Sequence, residues 1–71
     1  MQIQINGEQR EIAEGSTLAA LVEGLGMKAD RVAVERNLEI VPRAEWDKLV
    51  LNADDKLEIV HFVGGGRLFR I

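Results

Sequence analysis

The sequence has no cysteine and no tyrosine, and among its 71 residues it has one tryptophan, two phenylalanines, one proline and one histidine. Without cysteine there is no disulfide, no thiolate nucleophile and no cysteine metal site. Three aromatic side chains and a formal net charge of −3 do not supply the basic face that phosphates demand or the rings on which bases stack, so no nucleic acid partner is expected. No apolar run approaches the ~20 residues of a membrane span, and the opening MQIQING lacks the basic start and apolar core of a secretory signal. No membrane and a cytoplasmic location are therefore expected. A single histidine, scattered carboxylates and no nucleophile with a base at useful spacing leave no acid–base pair or triad, so neither an enzyme nor a metal site is expected.

What is present suits one small globular domain. The apolar share of 46% and charged share of 30% are ordinary for a folded chain, and a domain of this length buries roughly 60% of its unfolded surface. Charge is divided unevenly along it. Arg67 and Arg70 follow Gly66 with no acid among them, leaving seven basic against twelve acidic residues, a net −5, in residues 1–66. An acidic body is joined to a basic end, and such a body can steer a basic partner.

The pattern along the chain predicts the elements in turn. Ile3 and Ile5 alternate with polar residues up to Asn6-Gly7, a pair suited to the positive φ angles of a type I′ turn, so the first twelve residues read as a β-hairpin. Leu18, Leu21, Val22 and Leu25 then switch to the i, i+3, i+4, i+7 spacing of a helix, with Ser16 or Thr17 as its cap and Gly26 as its left-handed end. Val32 and Val34 mark a strand, Asn37 a candidate turn, and residues 38–41 a short strand that Pro42 stops. One irregular or helical turn follows, anchored by Trp46; residues 52–55 make a turn, and KLEIVHFV is the last strand. One helix on a mixed sheet of four to five strands, an α+β fold, is the economical way to bury these stripes.

That order, ending in glycines just past the last strand, resembles a β-grasp, or ubiquitin-like, domain. Closer still, MQIQING, VAVERNLEIVPRAEW with its Ile-Val-Pro-Arg-x-x-Trp core, and DDKLEIVHFVGGG resemble the ThiS family of sulfur carrier proteins in thiamin biosynthesis. The resemblance covers residues 1–66, the expected domain with its flexible glycine arm, and leaves residues 67–71 as an extension. It implies that the Gly66 carboxylate is the working group. A ThiF-like enzyme would spend ATP to adenylate it, a cysteine desulfurase or rhodanese-like protein would supply sulfur, and the resulting thiocarboxylate would serve a ThiG-like thiazole synthase. No cofactor is bound by the carrier in this scheme. Glycines fit it physically, since chain without Cβ atoms can enter a narrow active site.

In the last strand Leu57, Ile59, His61 and Val63 share one face, and Lys56, Glu58, Val60 and Phe62 the other. Val60 and Phe62, with Val63, Gly64 and Gly65, are the expected partner-binding residues, unless the helix or the tail covers that face. His61 and Trp46 read as structural, and Arg43 as a surface residue. The tail is the departure, because Gly66 is bonded to Arg67 and has no free carboxylate to activate. Residues 67–71 are too few to fold as a unit, and three explanations stay open: removal by a processing peptidase, an artefact of boundaries, or a non-covalent interaction module whose tail lies on Val60 and Phe62 or adds to a sheet edge. A MoaD-like carrier for molybdopterin synthesis is the nearest relative-level alternative.

Overall fold

Asn6 and Gly7, at φ 51° and 85°, turn the chain between β1 (Gln2–Ile5) and β2 (Glu8–Glu11) as their sequence predicts. A computed structural model of the protein describes residues 1–63 and 67–70. After the hairpin comes α1 (Leu18–Gly24), then a 3-10 turn at Ala29–Arg31 and β3 (Val32–Arg36). β4 (Glu39–Ile40), a second 3-10 turn at Arg43–Glu45, β5 (Lys56–Val63) and β6 (Arg67–Arg70) complete the order.

A seven-residue helix is too short to be stable by propensity, so its ends have to be satisfied by the surrounding chain. Thr17 is the cap, its Oγ1 accepting the Ala20 N–H at 3.1 Å. The Leu18 and Ala19 N–H groups go instead to the Leu49 and Trp46 carbonyls, at 2.9 and 3.1 Å. At the other end Gly26 takes φ 78°, and the Met27 N–H reaches back to the Val22 carbonyl. Tertiary contacts thus close both ends.

The sheet runs β2-β1-β5-β3-β4, with β1 and β5 parallel and the other pairs antiparallel. Strands from the two ends of the domain are therefore central neighbours. α1 covers one face of this sheet, where Leu18 and Val22 join Ile3, Ile5, Val32, Val34, Leu57 and Ile59 in a single core with Trp46 and Leu51. Asn37 and Leu38, at φ 50° and 73°, make the two-residue turn between β3 and β4, a sharper turn than Asn37 alone announces.

The sheet has six strands, one beyond the four to five that the sequence suggests. Arg67–Arg70, too few to fold alone, pair antiparallel with the end of β5, since a neighbouring strand supplies the hydrogen bonds that an isolated segment lacks.

Candidate functional site

β5 carries the candidate site on its last four residues, and its alternation decides what each side chain meets. Leu57 and Ile59 are buried and His61 half-buried on the helix-covered face. On the opposite face Val60 is half-buried and Phe62 is 40% exposed. Val60 is registered with Ala33 of β3, also half-buried, so a small apolar surface lies on the open side of the sheet. The helix does not cover it, because α1 packs on the other face. Val63 ends β5 opposite Arg67. Gly64, Gly65 and Gly66 lie outside the described residues.

The backbone edge of β5 is filled in three successive ways. The parallel strand β1 pairs along Lys56 and Leu57, with the Asn6 N–H on the Leu57 carbonyl at 2.9 Å. Where β1 turns away, the Asn6 side chain substitutes for a strand residue: its Oδ1 accepts the Ile59 N–H at 2.8 Å and its Nδ2 donates to the Ile59 carbonyl at 3.1 Å. Since residues two apart present N–H and C=O to the same edge, His61 and Val63 face outward next, toward Phe69 and Arg67 of β6. The Asn6 carboxamide thus ends one pairing and clears the edge for another. A sequence reading sees only the turn preference of Asn6, because Ile59 lies far along the chain.

At the start of β5, Asp55 is 5% exposed, the one charged residue among the described buried set. Its carboxylate accepts Arg36 Nε at 2.9 Å, Asn37 Nδ2 at 3.1 Å and the Asn52 N–H at 2.8 Å. Burial alone would push its pKa up, but the Asn52 N–H, then Arg36 and Asn37, favour the anion more strongly, and the net direction is down. The cluster ties the 52–55 turn to the β3–β4 turn and so fixes where β5 begins. Sequence reading places Asp55 merely in a turn; the missing signal is its partners, 18 and 19 residues away.

Arg43 and Trp46 belong to the scaffold. Trp46 is buried and donates Nε1–H to the Val41 carbonyl at 3.0 Å, while the Arg43 guanidinium lies 5.7 Å from its ring centroid. Arg43 also donates to the Ala29 and Val32 carbonyls, at 2.7 and 3.3 Å, so this exposed residue clamps two segments together. Among the described residues no group of three or more His, Asp or Glu is placed to hold a metal ion, and no helix is long and apolar enough to cross a membrane.

Comparison with known proteins places these features in a family context. The family model described as the ThiS family matches residues 3–66. A thiazole synthase of Paramagnetospirillum magneticum is 50% identical over 66 residues, which are 93% of this chain and 20% of that protein. The chain thus spans about a fifth of the length of that relative. The sulfur carrier protein ThiS of Escherichia coli is 30% identical, with 93% of this chain and all of that protein covered. The crystal structure of a thiamine biosynthesis protein (ThiS) from Geobacter metallireducens superposes with a TM-score of 0.80 at 30% identity, covering 93% of this chain and 100% of that one.

Proposed function

The chain belongs to the ThiS family of sulfur carriers in thiamin biosynthesis, and from that premise we propose that it works through the Gly66 carboxylate, exposed by removal of residues 67–71. A peptidase adds water across the Gly66–Arg67 bond, leaving the carboxylate on Gly66 and the amine on Arg67. A carboxylate is a poor electrophile, so an adenylating enzyme joins it to the α-phosphate of ATP with loss of pyrophosphate. The outer sulfur of a persulfide, from a cysteine desulfurase or rhodanese-like donor, displaces AMP, and a thiol reduces the remaining S–S bond to leave the thiocarboxylate. One difficult substitution becomes several easier ones. The reading places this chemistry in the cytoplasm, where ATP is supplied.

The observation that carries this reading is the family match, whose far boundary is residue 66, the last glycine before the tail. The thiazole synthase relative supports the receiving partner, because nearly all of this chain matches a fifth of a protein of that name. Val60 and Phe62, beside the glycines, are the proposed contact with the adenylating enzyme and the synthase. Their apolar side chains, with Ala33 beside Val60, suit a small buried interface centre.

Intact mass spectrometry of untagged protein from its native cells tests the proposal. A mass ending at Gly66, with a fraction heavier by exchange of one oxygen for sulfur, is expected. Retention of Ile71 in every molecule, in cells making thiamin, overturns it and leaves a binding module that is never modified.

A further inference from the structure

The edge of β5 beyond Asn6 has a definite width and a definite occupant. It begins where the Asn6 carboxamide closes the ladder at Ile59 and presents the backbone groups of His61 and Val63. Residues 67–70 fill it in antiparallel register, Val63 with Arg67, His61 with Phe69, Phe62 with Leu68 and Val60 with Arg70. The segment reads basic, apolar, apolar, basic, its net charge of +2 set against the −5 of residues 1–66.

We propose that this edge is a strand-docking surface, and that residues 67–70 are its intramolecular occupant, holding it closed until an extended segment of a protein partner with the same basic and apolar character replaces them. Three observations argue for such an occupant. The backbone direction is fixed, because the one strand seated on the edge runs antiparallel to β5. The register sets an apolar residue, Leu68, opposite the exposed Phe62, so a replacing strand gains from an apolar residue there. The acidic body favours basic flanks in whatever segment lies along it. The proposal deepens the carrier reading and rests on it for its biological sense: removing the tail would create the Gly66 carboxylate and open the docking edge in one event.

Backbone hydrogen exchange in the full chain tests the inference without sulfur chemistry. Phe69→Pro deletes the N–H that the register directs at the His61 carbonyl. In the unaltered chain the His61 amide is expected to exchange at least tenfold more slowly than in Phe69→Pro, with the Ile59 amide, held by Asn6, equal in both. Addition of the free peptide Arg-Leu-Phe-Arg-Ile in excess to the Phe69→Pro chain should slow His61 again and shift resonances of residues 60–63. Equal His61 rates in the two chains would sink the latch, and a peptide without effect on His61 would sink the docking surface. A mass ending at Gly66 would stand whichever way exchange came out, so failure here is separable from failure of the carrier reading.

Discussion

At the scale of single residues, Asp55 shows how a buried charge is kept. Three donors from separate parts of the chain offset its desolvation, and deleting the acceptor strands all three. Asp55→Ala is expected to cost about 2 kcal/mol, within the range for hydrogen bonds to charged groups, read from urea unfolding followed by fluorescence of the single tryptophan, Trp46. Its native pKa lies below the ordinary aspartate value, so its contribution is complete above about pH 4 and is lost as the pH falls through the lower native value. Asp55→Asn should therefore show a shallower loss of stability on acidification below that point than the unaltered chain, and an equal loss would mean that another carboxylate dominates. Asn6 combines two roles that substitution can separate. Asn6→Gly keeps the positive φ and loses both bonds to Ile59, for about 1–2 kcal/mol; Asn6→Ala adds the left-handed backbone strain, about 1 kcal/mol more.

At the scale of elements, the turns and strands carry their reasons locally to different degrees. The β1–β2 hairpin was legible because Asn6-Gly7 states its own backbone geometry, and β5 because its alternation runs unbroken for eight residues. The β3–β4 turn was less so, since Leu38 has no preference for φ 73° and is held there by the strands on either side. Leu38 is also 91% exposed, so nothing is lost in packing when it is shortened. Leu38→Gly is expected to stabilise the protein by about 1 kcal/mol, a gain visible as a higher urea midpoint. β6 was not legible as a strand because its structure comes from the edge it pairs with, and four residues show no periodicity by themselves. The open face of β5 was legible from alternation alone, and Phe62 gives it a test. Phe62→Ala should weaken binding to the adenylating enzyme by about tenfold or more while shifting stability by no more than about 0.5 kcal/mol; unchanged affinity would remove this residue from the interface.

At the scale of the whole molecule, the buried apolar side chains among the described residues form a single core. A chain of this size has roughly 4–10 kcal/mol of stability in total, whereas emptying one buried aliphatic position costs about 2–5 kcal/mol. Ile59→Ala, at the centre of the sheet, should therefore leave the protein largely unfolded at modest urea concentrations, with the early loss of Trp46 fluorescence as its signature. The central place of β5 also has a consequence in time. Because β5 lies between β1 and β3, the sheet cannot close from residues 1–55, and Ile3 and Ile5 have no parallel neighbour until residues 56–59 arrive. During synthesis the helix can meet the segment around Trp46 and Leu49, but the hairpin and the β3–β4 unit are expected to join into one sheet only when residues 56–59 have left the exit tunnel.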